Sequence, residues 1–290
     1  MATAGAFAFF GTPHFAAIIL KRLLDGGLAP QLLVTNPDRP VGRKKILTAP
    51  PTKQTVLDSG VSVEIFQPET LDETACKRLE GFDYFVVAAY SKILPKRVLS
   101  LAKRDVVGVH PSLLPKFRGA SPIQSALLGG ATETGTTLYR MDEQVDHGAI
   151  IAQATLTGAS MNMLTYSELE DSLAELSAEL LIRTLPDFCC GKITGVPQAD
   201  AEATFTKKFT TQDGFVEHAD LTEAQEHGGE KAIQIDRKIR ALNPEPGVFT
   251  MSPSKGGPVR VKLLSAKLLH DGTLRLTRIQ YEGKTPQDLA

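Results

Sequence analysis

The sequence is poor in several things. Only three of its 290 residues are cysteine, Cys76, Cys189 and Cys190, and no C-x-x-C pair occurs. An odd count with two of the three adjacent argues against a disulfide framework and for a reducing compartment. No apolar run approaches the roughly 20 residues that a membrane-spanning helix needs, so no membrane partner is expected. The opening MATAGAFAFFGTP lacks a basic n-region and an Arg-rich amphipathic pattern, which points away from a signal or transit peptide. The first turn carries one glycine, Gly11, where a dinucleotide fingerprint needs three. No His, Cys and carboxylate set falls at metal-ligand spacing, and no metal is expected. Net charge is also slight, −1 at pH 7, but it is unevenly spread. Between Lys231 and Lys284 eleven Lys/Arg face four Asp/Glu, a local +7 that leaves −8 for the rest. Such a segment suits a polyanionic partner. It equally suits the solvated face of a small β-rich domain.

What is present is an ordinary globular composition, 42% hydrophobic and 22% charged, on a chain long enough for one large or two ordinary domains. Strand-like runs alternate with helical stretches through the first 155 residues. The runs are AFAFF (6–10), QLLVT, VSVEIF, YFVVAA (84–89), DVVGVH, GTTLYRM and AIIAQATL. That alternation predicts an α/β, Rossmann-like domain with a mainly parallel sheet. Its ligands would sit at the carboxyl ends of the strands. Thr12 and Pro13 read as the N-cap and first residue of a helix running to Asp25 and stopping at Gly26-Gly27. Thr165 and Glu168 form a capping box, followed by Leu169, Leu173, Leu176 and Leu180 at helical spacing, a core stripe. The pattern breaks after Pro186. We therefore expect a first domain over 1–188, a linker over 189–204, and a basic, β-barrel-like (OB-type) domain over 205–290. In that last region KAIQIDRKIRAL reads as an amphipathic helix and HDGT as a hairpin turn.

One segment stands out chemically: DVVGVHPSLLPKFRGASPIQ, 105–124. His110 closes a buried strand. The proline-stiffened loop after it holds Leu113 and Leu114, which suit a pocket wall, and Ser121-Pro122 reads as a helix start. A histidine so placed needs a partner, and MDEQVDHG offers Asp142 and Asp146; residue pattern alone does not choose between them.

These segments, with FFGTPHFA, NPDRPVGRKK, VVAAYSKILP, ETGTTLYRMDEQVDHG and RALNPEPGVF, resemble the folate-dependent formyltransferases, in particular their methionyl-tRNA branch. The resemblance runs through nearly the whole chain. It implies transfer of a formyl group from 10-formyltetrahydrofolate to the amino group of initiator methionyl-tRNA, without a metal. By the same resemblance His110 is the oxyanion donor and Asp146 holds it and assists proton transfer. Tyr90, Ile93, Leu94, Pro95, Ser112, Leu113, Leu114, Pro115 and Asp142 would surround the folate. The basic loop after the second strand would reach the tRNA with Arg39, Arg43, Lys44 and Lys45. Lys207, Lys208, Arg237 and Lys238, with Arg240, Lys262 and Lys267, would follow its backbone from the C-terminal domain. The family implies a monomer in the bacterial cytoplasm, or in the mitochondrial matrix or a plastid if processed.

One position departs. The family pattern has Asn two residues before the His, and here that residue is Gly108. Loss of one oxyanion donor costs about a hundred- to a thousand-fold in rate. Ser91 or Gln124 could substitute, and Gly108→Asn is expected to raise formylation. His147 is a lesser oddity. The alternatives are a weak or silent folate- or tRNA-binding homologue, and a transferase acting on another small-molecule amine.

Overall fold

The computed structural model describes residues 5–42, 44–158, 161, 163–254 and 256–289. In chain order its first half contains β1 (Phe7–Gly11), α1 (His14–Asp25), β2 (Leu32–Val34), β3 (Arg39–Val41), β4 (Ile46–Thr48), α2 (Pro51–Ser59), β5 (Glu64–Phe66), α3 (Glu73–Leu79), β6 (Tyr84–Ala88), α4 (Lys96–Leu99) and β7 (Asp105–His110). Then come the two-residue β8 (Arg118–Gly119), α5 (Pro122–Leu128), β9 (Glu133–Arg140), β10 (Ile150–Thr157), α6 (Tyr166–Cys189) and the two-residue β11 (Phe205–Thr206).

Seven strands form one sheet in the order β10-β9-β7-β6-β1-β2-β5. The five strands from β7 to β5 are parallel, and β9 runs antiparallel to β7. Every residue of β1 and β6 is buried, which is why these strands read as unbroken apolar runs instead of alternating ones. Phe7 stacks on Tyr84 at 5.6 Å and Phe10 meets Phe85 at 5.1 Å, so aromatic pairs tie the two central strands together. At the carboxyl end of β1, a Cβ on Gly11 would lie 2.7 Å from Ala16 Cβ and 2.9 Å from the Ala88 carbonyl oxygen. Glycine is needed there for the start of α1 to come close to the strands.

Three expectations change. Thr12 does not cap α1. Pro13 occupies the N-cap, and the Thr12 hydroxyl accepts hydrogen bonds from Thr35 Oγ1 and Asn36 N–H beyond β2. Pro186 does not end its helix, because α6 continues through it to Cys189. The chain also divides into two compact units that interleave in sequence. The first comprises 1–119, 134–157 and 170–205, and the second 120–133, 158–169 and 206–290. The stretch read as a linker belongs to the first unit. There Val196 pairs with Ile150, and Gln198 and Asp200 bind the side chain of Arg118. Of the leucine stripe on α6, Leu169, Leu173 and Leu180 are buried and Leu176 is partly so.

The second unit holds α5, α7 (His218–Glu226), α8 (Glu230–Leu242), and the strands β12 (Phe249–Ser252), β13 (Val259–Leu268), β14 (Leu274–Tyr281) and β15 (Gln287–Asp288). The strands form an antiparallel meander in chain order. Among the described residues no pairing closes it into a barrel. The buried stripe Ala232, Ile235, Ile239 and Leu242 faces α8 inward at helical spacing. At the HDGT turn, Gly272 has φ +84° and donates its N–H to the Leu269 carbonyl, while Leu269 N–H reaches Thr273. This is a three-residue hairpin loop with glycine in the left-handed position.

Candidate active site

His110 ends β7, and its ring is 7% exposed. Its Nε2 lies 2.9 Å from the Phe117 carbonyl oxygen. A carbonyl can only accept, so Nε2 carries the proton and donates. The other nitrogen, Nδ1, faces Asp146 Oδ2 at 3.5 Å. That is longer than an ordinary hydrogen bond, so of the two ring nitrogens Nε2 is the one committed to a protein partner. The sequence left Asp142 and Asp146 open as partners, and the structure places Asp146 against the histidine.

The Asp146 carboxylate is held on both oxygens. Oδ2 accepts the Gly119 N–H at 2.7 Å, and Oδ1 accepts the Tyr139 hydroxyl at 2.8 Å. Its backbone is left-handed at φ +50°, an uncommon state for aspartate. Gln198 supports that turn, donating its amide to the carbonyls of Asp146 at 2.9 Å and of Gly148 at 2.8 Å. Gln198 Oε1 in turn accepts two hydrogen bonds from the Arg118 guanidinium, which is 4% exposed and also pairs with Asp200 at 2.8 Å. Phe117, whose carbonyl anchors His110, is left-handed as well, at φ +61°. The contributions of Tyr139, Phe117, Arg118 and Gln198 were not foreseen. Nothing in their spacing announces them, since three of the four act on Asp146 or His110 through backbone or through another side chain.

Asp142 is engaged elsewhere. It accepts Gln144 N–H at 2.9 Å and His147 Nδ1–H at 2.7 Å. His147 Nε2 also lies 3.6 Å from Asp200. The hydrogen bond to Asp142 raises the His147 pKa above the usual imidazole range. His147 therefore closes the 142–147 turn, with one ring nitrogen on Asp142 and the other near Asp200.

Above Gly108 the space is taken. A Cβ there would lie 2.4 Å from Tyr139 Cε1, 2.5 Å from its Cζ and 2.9 Å from Met141 Cγ. Gly108 and Tyr139 face each other across the antiparallel β7–β9 pair. Of the two substitutes considered for a missing side chain, Ser91 accepts a hydrogen bond from Asn36 Nδ2 at 2.9 Å, and Gln124 sits on α5 in the second unit.

The loop after His110 is stiffened by internal bonds. Ser112 is fully buried and donates its hydroxyl to the Lys116 carbonyl at 2.7 Å. Leu114 is buried; its N–H reaches Thr137 Oγ1 at 3.1 Å and its carbonyl accepts Gln153 Nε2–H at 2.9 Å. Leu113 packs on Gly135, and Pro115 is partly exposed. Beyond β6, Tyr90 sets its ring edge-on to Phe10 at 5.5 Å. Burial raises its phenol to about 12, and its hydroxyl is buried without a protein partner, as is Asn36 Oδ1. Leu94 joins the core, while Ile93 is 91% exposed. Ile93 and Pro95 line a cleft of about 440 Å³ with Glu69, Thr70, Leu71, Lys92 and Arg97.

The basic residues divide. Lys44, Lys45 and Lys208 are exposed, and so are Lys262 and Lys267; Arg237 is partly so. Arg39 pairs with Glu69 at 2.5 Å, and Lys207 pairs with Asp213. Arg43 lies outside the described residues. Lys238 is turned inward, donating to the Phe215 carbonyl at 3.0 Å, and burial lowers its pKa. Arg240 is tied to Asp236 at 2.8 Å and to the Leu164 carbonyl at 3.0 Å. Lys238 and Arg240 hold the second unit together, a role their place in a basic helix did not reveal.

The profile of the family "Formyl transferase" matches residues 5–185, and "Formyl transferase, C-terminal domain" matches 229–275. Methionyl-tRNA formyltransferase of Halorhodospira halophila is 40% identical over 267 residues, 91% of this chain and 80% of that protein. The enzyme of the same name from Phenylobacterium zucineum is 34% identical over 302 residues, 97% of this chain and 94% of the relative. Among solved structures, methionyl-tRNA formyltransferase from Clostridium thermocellum superposes with TM-score 0.60 at 15% identity, over 96% of this chain and 98% of that one. HypX from Aquifex aeolicus in complex with tetrahydrofolic acid superposes with TM-score 0.65 at 16% identity, over 99% of this chain and 46% of its own. At such identities the structural likeness speaks for the fold.

Proposed function

The chain belongs to the methionyl-tRNA formyltransferase family, and we propose that it moves a formyl group from 10-formyltetrahydrofolate to the amino group of initiator methionyl-tRNA through His110 and Asp146. One observation carries the assignment of residues. A buried histidine at a strand's carboxyl end, with Nε2 anchored on a backbone carbonyl, presents Nδ1 toward a carboxylate that is itself fixed on both oxygens.

The folate supplies an activated formyl group, and the residues around its expected place suit it. The unpartnered Tyr90 hydroxyl and Asn36 carbonyl oxygen are buried polar atoms that a heterocycle could satisfy. In this reading Tyr90, Ile93, Leu94, Pro95, the 112–115 loop and Asp142 surround the donor. The internal bonds of the loop keep its shape without a ligand.

The amine must arrive neutral and must lose a proton after attack. Asp146 Oδ2 and His110 Nδ1 stand side by side and form the receiving pair. A proton taken at Nδ1 leaves an imidazolium facing a carboxylate, which stabilises it. Protonated Nδ1 donates to the oxygen that gains charge; when the tetrahedral species collapses, the bond from the formyl carbon to the folate nitrogen breaks and the proton taken from the amine passes to that departing nitrogen. Because Nε2 is committed to Phe117, the oxyanion role foreseen for His110 falls to Nδ1. Exposed Lys44, Lys45, Lys208, Lys262 and Lys267 supply phosphate contacts, and we place the protein in the bacterial cytoplasm.

The test is a formylation assay with methionyl initiator tRNA and 10-formyltetrahydrofolate. His110→Ala and Asp146→Asn should each lower kcat by at least about a hundred-fold. Retention of full rate in either would sink this assignment. Transfer to a free small-molecule amine but not to the tRNA would favour the alternative acceptor class.

A further inference from the structure

We propose that Tyr139 is the positioning residue of this site: its hydroxyl fixes the Asp146 carboxylate beside His110, and residue 108 is glycine because the Tyr139 ring fills the space a side chain there would need. The inference rests on the reading of Asp146 as the carboxylate that works with His110.

Three observations converge on it. First, the hydroxyl of Tyr139 donates to Asp146 Oδ1 at 2.8 Å, leaving Oδ2 to face His110 Nδ1. With Gly119 N–H on Oδ2, the carboxylate has one donor on each oxygen and no freedom to rotate. Second, the ring and Gly108 exclude each other's alternatives. A Cβ at 108 would come within 2.4 Å of the ring, far inside ordinary van der Waals contact of about 3.5–4.0 Å. The antiparallel register of β7 and β9 sets Gly108 directly opposite Tyr139, so the two positions share one volume. Third, Tyr139 is 4% exposed, and burial, followed by the nearby Asp146 charge, raises its phenol well above the ordinary value. The hydroxyl thus keeps its proton across the working pH range and remains a donor.

The pair therefore replaces one device by another. Where a side chain from β7 could have reached into the site, a phenol comes in from β9 and acts on the carboxylate. Tyr139 touches no reacting atom in this arrangement. It acts through Asp146, and its loss should appear in turnover and not in substrate affinity.

Tyr139→Phe in the full chain removes only the hydroxyl. With 10-formyltetrahydrofolate and methionyl initiator tRNA, we expect kcat to fall about 10- to 100-fold and KM for both substrates to stay within about two-fold. Asp146→Asn, measured alongside, separates the two levels. If Asp146→Asn leaves kcat unchanged, the reading of Asp146 fails. If it lowers kcat while Tyr139→Phe does not, or if Tyr139→Phe raises KM with kcat intact, the positioning role of Tyr139 alone is overturned. The packing half is read independently from thermal unfolding. Gly108→Ala should lower the melting temperature in the native background and be tolerated beside Tyr139→Leu. Equal effects in both backgrounds would refute the shared volume.

Discussion

Replacing Gly108 by asparagine restores the residue that the family pattern has at this place, and on sequence grounds it should increase the rate. The packing of β7 against β9 gives the opposite expectation. The new Cβ would stand 2.4 Å and 2.5 Å from two ring carbons of Tyr139 and 2.9 Å from Met141 Cγ. Neither neighbour is a loose surface side chain, and the Tyr139 ring is held at its far end by Asp146. Forcing extra atoms into a packed interior costs about 1–3 kcal/mol. If the ring swings away, the hydrogen bond to the carboxylate goes too, a further loss of about 1.5–3 kcal/mol. With both losses, Gly108→Asn should destabilise the first unit by about 2.5–6 kcal/mol. For a unit of this size that is a fall of roughly 5–24 °C in melting temperature. Formylation should fall with it. The decisive comparison is Gly108→Asn alone against Gly108→Asn with Tyr139→Leu, followed by calorimetry and initial rates. The double variant should regain most of the stability and exceed the single variant in kcat. A single Gly108→Asn protein that melts as the parent does and formylates faster would refute the steric reasoning.

Other expectations follow from the same contacts. The His147 clasp has a defined pH sense. Its pKa is raised on folding, so its contribution is fully present below about pH 6.5 and is lost as pH rises through the folded value. The protection of the 142–148 amides relative to their intrinsic exchange rates should fall across that rise, and His147→Asn should abolish the fall. Arg118→Met should lower the urea midpoint by the equivalent of about 1–3 kcal/mol, because the half-buried Gln198 Oε1 loses both of its hydrogen bonds from the buried guanidinium. Affinity for tRNA should fall steeply with salt, and Lys44→Ala or Lys262→Ala should each reduce that slope, whereas Lys238→Met should change stability more than binding. A salt-independent affinity would rule out the phosphate-contacting surface.

The centre of the sheet was legible because its strands are buried on both sides and so leave continuous apolar runs, as at 84–88 and 105–110. The helices α2, α3 and α4 were not, since few of their residues are buried and they show little periodicity. The cap at Thr12 was misread because its hydroxyl finds the β2 end instead of the helix. At the site, His110 was visible as a polar residue closing an apolar strand. Its partner came from resemblance, because two aspartates in one short turn look alike in sequence, and only the fold sets Asp146 beside His110 and Asp142 beside His147. Tyr139 was invisible: it read as one residue of a strand, and its bearing on Gly108 depends on strand register, which spacing along the chain does not encode. The inward turn of Lys238 and Arg240 was hidden by the same logic, for a basic helix looks alike whether its cations face water or carbonyls.

The interleaving of the two units governs what can be cut from this protein. Helix α5 belongs to the second unit, although it lies in the chain between β8 and β9. Its buried face, Pro122, Ile123, Ala126 and Leu127, packs with α8, and Gly130 just beyond it lies against the Arg237 side chain. A fragment starting at 206 would keep the packing of α8 on α7 and β13 but lose the α5 cover, exposing the apolar surface that α5 buries. Chimeras, split proteins and tRNA-binding fragments made from this chain must bring 120–133 along, and a simple exchange of C-terminal halves between relatives would trade a matched helix pair for a mismatched one.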